Sequence, residues 1–373
     1  MVIMEENVVT NPKVRIVFGP GSLNRLGEEV ERLKAERILV LTGRTIAQKT
    51  PILTQVLGIL GKKHVGTFTE TTYHMQQRDE PKDRLLEQAK ETQADLFLSL
   101  GGGTVVHYAM WVVKQLSGDS MEAPRIPIIT VPTTLSGAEA MTGGVRVEGG
   151  TKFDPSQRPG TVILDPEVTL YTPDELFYSS GFNAINHCIE GTISNSRNPW
   201  SEGYYLQALR LLVENMPKSM ANPEDMEARG KTLMGGYMSN RMLEFTLVGV
   251  AHALCHGLQW VFSSAHGLNN TVMVTHGMKY NAEVAADRIA VTAPALGVLL
   301  GQDDRETAFR CIAAVEGLRR RFGLPERLRD VPSVNPEGFY EVAEHTLHHD
   351  FIAYNPRQPR DAQELQQVLE DAW

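Results

Sequence analysis

Cysteine is scarce in this sequence, with three residues among 373. Cys188, Cys255 and Cys311 are widely spaced and odd in number, so they suggest neither a disulfide framework nor a zinc-binding motif. Each lies among apolar neighbours, which predicts small buried side chains. We therefore expect a protein of the reducing cytoplasm.

Positive charge and long apolar runs are also lacking. The chain has 36 Lys and Arg against 45 Asp and Glu, a formal net charge of -9, and an acidic surface repels phosphate. No apolar run approaches the roughly 20 residues of a membrane helix. Glu5 and Glu6 stand where a secretory signal would carry basic residues. We expect a soluble protein with no nucleic-acid or membrane partner, although a local basic pocket for a small anion remains compatible with this charge.

The length of the chain is too great for one ordinary domain and comfortable for two. Short apolar runs alternate with helical patterns up to about residue 170, which predicts an open, mostly parallel sheet covered by helices. The predicted strands are residues 14–18, 37–42, 96–100, 126–131 and 161–164. Later residues show helical periodicity, with helices predicted over 201–216 and 229–250. We predict an α/β nucleotide-binding domain over 1–170 and an all-helical catalytic domain over 171–373.

A glycine triplet follows the strand predicted at residues 96–100. Gly101, Gly102 and Gly103 would let backbone amides approach a diphosphate, and Thr104 would open the helix that follows. The triplet does not fit G-x-G-x-x-G, and a tight structural turn would also explain it. A second polar loop follows the next strand, and both loops leave carboxyl ends of strands, where open α/β sheets bind ligands. Together they favour a nucleotide site. Its candidate residues are Thr42, Gly101, Gly102, Gly103, Thr104, Thr133 and Thr134.

Histidines concentrate in the second half of the chain. His252, His256 and His266 form H-x3-H-x9-H, and the first two fall on one helix face. Asn183 and His187 have the same i, i+4 relation. A lone histidine is usually a satisfied core or surface residue, but this set predicts a shared site. It could hold a divalent metal or supply acid and anion-binding groups. A metalloprotease motif is excluded, because H-E-x-x-H would need glutamate at Ala253.

These residues resemble the iron-type alcohol dehydrogenases of the dehydroquinate-synthase-like superfamily. That family holds its metal with D-x3-H and two later histidines. The matching positions here are Asn183, His187, His252 and His266, and His256 matches a further histidine between the last two. The form S-G-x-N-A-x-x-H is similar to the maleylacetate reductase branch, whose members typically work without metal. Asparagine lacks the charge that attracts a dication, so we expect no metal.

Further segments carry the same resemblance along nearly the whole chain. H-A-L-C-H-G-L, P-T-T-x-x-G-A-E and the tail N-P-R…A-W resemble that branch. His276 with Tyr280 and Asn281 is similar to its L-P-H…Y-N. The chain departs from the family after the glycine loop, where His107 and Met110 occupy the usual Asp/Gly and Lys positions, and at His74, where H-T-P reads H-M-Q.

The resemblance implies an NADH- or NADPH-dependent reductase that transfers hydride to a small carboxylated enone or ketone, in aromatic compound catabolism. It implies that His252 and His256 supply a proton and polarise the carbonyl, with Asn183, His187 and His266 around them. It also suggests a homodimer. Arginine and lysine side chains bind carboxylates. The substrate-binding candidates are Lys152, Arg158 and Arg357, for which a solvated surface charge is the alternative. Two other hypotheses remain open: a metal-dependent alcohol dehydrogenase, and a non-redox descendant that uses the same cleft.

Overall fold

The computed structural model describes residues 14–72, 80–118, 125–141, 143–147, 150–154 and 158–373, with backbone alone at 143–147 and 150–154. Eight strands are found in these residues. They are β1 (Arg15–Phe18), β2 (Ile38–Thr42), β3 (His64–Phe68), β4 (Leu96–Gly101), β5 (Ile128–Pro132), β6 (Gly143–Val147), β7 (Gly150–Asp154) and β8 (Thr161–Leu164). Strands β6 and β7 form an antiparallel hairpin, and the other six form one sheet.

The large sheet is parallel throughout and has the order β1-β8-β5-β4-β2-β3. The inner strands β2, β4, β5 and β8 are fully buried, as their continuous apolar runs predict for strands covered on both faces. The predicted strands are therefore confirmed to within two residues at each end. Strand β3 was not predicted: it contains Gly66 and fully buries only Phe68.

Helices cover both faces of this sheet. The helices of the sheet half are α1 (Leu26–Leu33), α2 (Arg44–Lys49), α3 (Ile52–Leu60), α4 (Glu80–Thr92) and α5 (Gly103–Ser117). One apolar cluster joins α1 and α3 to the sheet, and a second joins α4 and α5 to it. The predicted α/β fold is thereby confirmed.

All described strands end by residue 164, and the rest of the chain is helical. Its helices are α6 (Asp174–Ile193), α7 (Pro199–Ala221), α8 (Met226–Arg241), α9 (Val250–Phe262), α10 (His266–Ala290), α11 (Ala293–Leu296), α12 (Asp304–Arg321), α13 (Phe339–Leu347) and α14 (Ala362–Asp371). No helix in the described ranges is long and apolar enough to cross a membrane. The exact division at residue 170 stays a prediction.

Helix α6 is the centre of the helical half. Every residue from Phe177 to Ile193 is buried, and its neighbours include α7, α8 and α10. Close packing requires glycine here: a Cβ atom on Gly191 would lie 2.2 Å from the ring of Tyr205. Side chains on α6 are therefore held in a rigid, dry environment.

The single helix predicted over residues 229–250 is wrong. Helix α8 ends at Arg241, and α9 begins at Val250 after a turn. Gly249 caps α9 in a conformation outside the helical region, and a Cβ atom there would lie 2.4 Å from the Asn355 side chain. The interruption turns α9 into a separate helix whose amino-terminal end lies against α6 and the chain's carboxyl-terminal segment.

Candidate active site

The glycine loop joins β4 to α5 at the carboxyl edge of the sheet. Gly101 has φ +153°, a conformation that disfavours any side chain. A Cβ atom on Gly102 would lie 3.0 Å from the Thr134 side chain, and one on Gly103 would lie 3.1 Å from Ser136 Oγ. Helix α5 starts at Gly103, so its first amides face out of the loop with the positive end of the helix dipole. This arrangement suits a diphosphate.

Two threonine hydroxyls near this loop are buried without hydrogen-bond partners. They are Thr42 Oγ1, at the end of β2, and Thr134 Oγ1, in the loop after β5. Buried hydroxyls normally find a partner, so these two atoms fit an absent ligand. Thr133 is engaged within the protein, since its amide donates to Gly101 O (3.1 Å). The residues present therefore fit a dinucleotide.

The predicted histidine site forms where α6, α9 and α10 meet. The rings of His187 and His252 stack, with centroids 4.4 Å apart and planes 18° apart. His266 lies 5.5 Å from the His252 ring and 5.2 Å from the His256 ring, measured between centroids. Asn183 Oδ1 is 3.1 Å from His252 Nε2. The structure thus brings together all five residues that the spacing predicted.

The amino-terminal end of α9 is capped by side chains from two distant segments. Glu190, on α6, accepts hydrogen bonds from Ala251 N (2.7 Å) and His252 N (3.0 Å). Asn355 Oδ1 accepts from Val250 N (3.1 Å). These three amides are buried and need acceptors. The cap fixes α9, and with it both of its histidines, relative to α6.

The hydrogen bonds around His252 assign its proton. Asn183 Nδ2 donates to Ser136 O (3.4 Å), so its Oδ1 faces the imidazole and must accept from Nε2–H. On the other side of the ring, Nδ1 lies 3.0 Å from Asn186 Nδ2 and 3.2 Å from Glu190 Oε2. A neutral ring accepts from Asn186 at Nδ1, and a charged ring donates to Glu190. His252 therefore has a partner for Nδ1 in either protonation state.

The other rings of the cluster are held neutral. Burial lowers the pKa of His187 and of His256 well below the usual value, and neighbouring histidines add to this. Burial lowers the pKa of His266 to about 3, with smaller effects of His252 and His107. These three rings can therefore donate hydrogen bonds without carrying positive charge.

The glycine loop and the histidine cluster are joined through Ser136. Its carbonyl oxygen accepts from Asn183 Nδ2 (3.4 Å) and from Asn240 Nδ2 (3.3 Å), while its hydroxyl lies against Gly103. The glycine loop and the imidazole cluster thus lie on either side of Ser136. Met110 is only 4% exposed and packs in an apolar cluster, so a lysine at position 110 would have to bury its ammonium group.

The residues present do not fit a tightly bound divalent metal. Among the described side chains, no group of three or more His, Cys, Asp or Glu residues is arranged to hold one. Asn183 supplies a neutral amide in place of a carboxylate, and that amide is already bonded to the atom of His252 that would face a metal. Removing one negative charge weakens the attraction for a dication.

The three candidate residues for substrate carboxylates differ in their surroundings. Arg357 stacks over Tyr280 and donates to Glu283 (2.9 Å) and Glu364 (2.7 Å), which favours a structural role. Arg158 is buried and donates to Glu244, but its Nε and Nη1 have no partner among the described residues. Lys152 belongs to β7, and its side chain lies outside the described residues.

A glycine loop that suits a diphosphate, close to a cluster of imidazoles, is typical of one class of protein, the nicotinamide-dependent oxidoreductases. Comparison with known proteins agrees. The model of the iron-containing alcohol dehydrogenases matches residues 12–166, and the model of the carboxyl-terminal part of that family matches residues 177–373. The chain is 30% identical to maleylacetate reductase of Pseudomonas knackmussii over 365 residues, 96% of this chain and 95% of that protein.

Solved structures show the same relationship. Maleylacetate reductase from Agrobacterium tumefaciens has a TM-score of 0.82 and 26% identity, covering 99% of both chains. A 1,3-propanediol oxidoreductase has a TM-score of 0.87 at 23% identity, covering 97% of this chain and 98% of its own. The chain therefore belongs to the iron-containing alcohol dehydrogenase family and to its maleylacetate reductase branch. It is an NAD(P)-dependent oxidoreductase.

Sequence reasoning missed several residues that build this site. Glu190 follows His187 by three positions on α6 and shares its helix face, so helical spacing could have identified it. Asn186 and Asn270 bond to each other (2.7 Å) and to the rings of His252 and His266. His349 contacts His256 from 93 residues away, and no local pattern predicts such a contact.

The glycine loop yields the first prediction. Gly102→Val should abolish NADH and NADPH binding, since its branched side chain would fill the space in front of Thr134 and the α5 amides. Gly102 has φ -82° and ψ -173°, which valine adopts readily, but the new Cβ atom would press on the Thr134 side chain, so the melting temperature is measured beside the affinity. Calorimetric titration of both cofactors measures the effect. Gly203→Val, at an open helix position, is the control, and equal cofactor affinity in the two variants would contradict this phosphate site.

The second prediction concerns metal. Purified protein should carry little iron or zinc, and chelation should leave its activity intact. Asn183→Asp should raise zinc affinity on the order of tenfold or more, because it restores a charge at the site. Elemental analysis and zinc titration test this, with Asn222→Asp, at an exposed helix end, as the control. Stoichiometric metal whose removal stops turnover would overturn the prediction.

Proposed function

We propose that this protein is an NADH- or NADPH-dependent reductase of a small carboxylated enone or ketone, with maleylacetate as the model substrate. The observation that carries the proposal is the bond between Asn183 Oδ1 and His252 Nε2 (3.1 Å). A neutral amide paired with an imidazole replaces the carboxylate of a metal site, so a carbonyl must be polarised by hydrogen bonds. The similarity to a maleylacetate reductase over 96% of the chain supports the substrate class.

In this proposal the nucleotide lies along Gly101–Thr104 with Thr133, Thr134 and Thr42 beside it. The first amides of α5 would hold the diphosphate, and the two unpartnered hydroxyls, Thr42 Oγ1 and Thr134 Oγ1, would gain partners. Bound nicotinamide supplies a hydride. The protein's contribution is to place the reacting carbon next to it.

Reduction of an enone shifts an electron pair toward the carbonyl oxygen as hydride adds to carbon. Preorganised donors stabilise that developing charge most effectively. His256 and His266 are both partly exposed, but His266 Nε2 is bonded to Asn270 (3.1 Å), so we assign His256 to the oxygen. His252 is 1% exposed, so it supports the cluster from behind with His187 and Asn183. A proton from water then completes the reduced product.

The substrate carboxylates need a cation on the same cleft. Arg158 remains a candidate because two of its nitrogens have no partner among the described residues. Lys152 remains a candidate by sequence alone. No described feature favours either the metal-dependent dehydrogenase or the non-redox descendant.

We also propose a cytoplasmic homodimer. The three cysteines are free and buried, as suits a reducing compartment. Strand β1 forms one edge of the sheet, where Phe18 is 70% exposed, and exposed apolar edge strands invite pairing with another chain. A monomeric mass in solution would contradict the dimer.

The third prediction tests the reductase. The protein should oxidise NADH or NADPH in the presence of maleylacetate, followed by absorbance at 340 nm, and should act weakly on simple aldehydes. His256→Ala and His252→Ala should each lower kcat by about 10²-fold, the first because it removes the donor to the developing charge and the second because it removes a ring that orients the cluster.

His348→Ala serves as the control for both variants, because His348 is exposed and directly precedes His349, which contacts His256. Melting temperatures separate loss of chemistry from loss of fold. No nucleotide oxidation with maleylacetate, in protein that binds the nucleotide, would rule out this substrate class. Full activity in both histidine variants would show that these rings only pack against the cleft.

A further inference from the structure

His349 lies on the other side of His256 from the rest of the cluster. It precedes a short 3-10 helix, residues Asp350–Tyr354, and its side chain caps that helix. His349 Nε2 is 2.8 Å from His256 Nδ1, and the two ring centroids are 4.9 Å apart. Phe351 packs on both rings, with centroid distances of 4.5 Å to His349 and 5.5 Å to His256. The contact between His349 and His256 is therefore held in place by the surrounding side chains.

A backbone amide determines which ring nitrogens of this histidine pair carry the protons. Phe351 N donates to His349 Nδ1 (3.2 Å), and an amide nitrogen can only donate. Nδ1 of His349 must therefore carry a lone pair, so its proton is on Nε2. That Nε2–H must donate to His256 Nδ1, because the reverse direction would require an imidazolate at position 349. The bond made by one ring nitrogen fixes the state of the other.

The same reasoning extends to His256. Its Nδ1 accepts from His349, so the proton of the neutral ring is on Nε2. A second proton on Nδ1 would face the Nε2–H of His349, and two donors would then oppose each other. Nε2–H of His256 has no partner in the described part of the chain, and the residue keeps partial exposure to the cleft. One donor of this ring is therefore available to a ligand.

We propose that His349 is a positioning residue that holds His256 as a neutral imidazole with its proton on Nε2, available to the substrate oxygen. His256 then acts as a hydrogen-bond donor to developing charge, and the proton added to the substrate comes from water. The proposed substrate class supplies the oxygen, so the catalytic part of this inference rests on the proposed function. The assignment of the ring proton does not depend on it.

The fourth prediction is tested first on the wild-type protein by 15N NMR of histidine-labelled samples, with the His256 signals identified by their loss in His256→Asn. The expected spectrum shows a pyrrole-type Nε2 and a pyridine-type Nδ1 for His256, unchanged between pH 6 and 8. A proton on Nδ1, or a charged ring in that range, overturns the proposal whatever the substrate is.

Three variants then test the positioning role. His349→Phe should let His256 populate both neutral tautomers and should lower kcat by about tenfold or more, the scale for an orienting partner, with the KM for nucleotide unchanged. His349→Gln places an amide donor near the former Nε2 and should restore the tautomer and most of kcat. His348→Phe, at the exposed neighbour, should match wild type in both measurements.

The outcomes separate this inference from the proposed function. If His256 keeps its Nε2–H tautomer in folded His349→Phe, the positioning role is wrong even if maleylacetate is the substrate. If the His256 tautomer shifts in His349→Phe but the wild-type protein is inactive on every carboxylated enone, the positioning role stands and the proposed substrate class is excluded. A fall in melting temperature without a tautomer change would show that His349 only packs, and would also overturn the proposal.

Discussion

The capped amino terminus of α9 is the constraint on which the site depends. Three consecutive amides, those of Val250, Ala251 and His252, are buried, and each needs an acceptor. Glu190 accepts two of them and Asn355 the third. Losing an acceptor from buried donors costs about 1–3 kcal/mol for each group. Because His252 and His256 are one turn apart on this helix, the cap decides where both rings lie.

The amide of Asn183 and three of the clustered imidazoles have one property in common, which is that they are uncharged. Asn183 removes the charge that a dication would need, burial holds His187, His256 and His266 uncharged, and the described side chains include no metal-binding group. Moving a neutral donor out of water costs little free energy, and a preorganised donor need not reorient when charge develops beside it. This electrostatic environment favours the proposed role of the imidazoles as neutral hydrogen-bond donors to a carbonyl.

Periodicity in the sequence predicted much of this fold and part of the site. Continuous apolar runs identified the buried strands, and the i, i+4 spacing brought His252 and His256 to one face, since both patterns reflect local geometry. The break between α8 and α9 was missed because its cause, the contact of Gly249 with Asn355, joins segments over 100 residues apart. Arg357 looked like a carboxylate ligand because its two acidic partners come from other helices. His349 was missed for the same reason.

The dependence of α9 on Asn355 couples two helices of the site through one side chain. Asn355 bonds to Val250 N and, through a reciprocal pair of amide bonds, to Asn281 (3.0 and 2.8 Å). This side chain therefore links the amino-terminal end of α9 to α10, and these two helices carry His252, His256 and His266. A substitution at residue 355 would alter the placement of these rings by moving the helices that carry them.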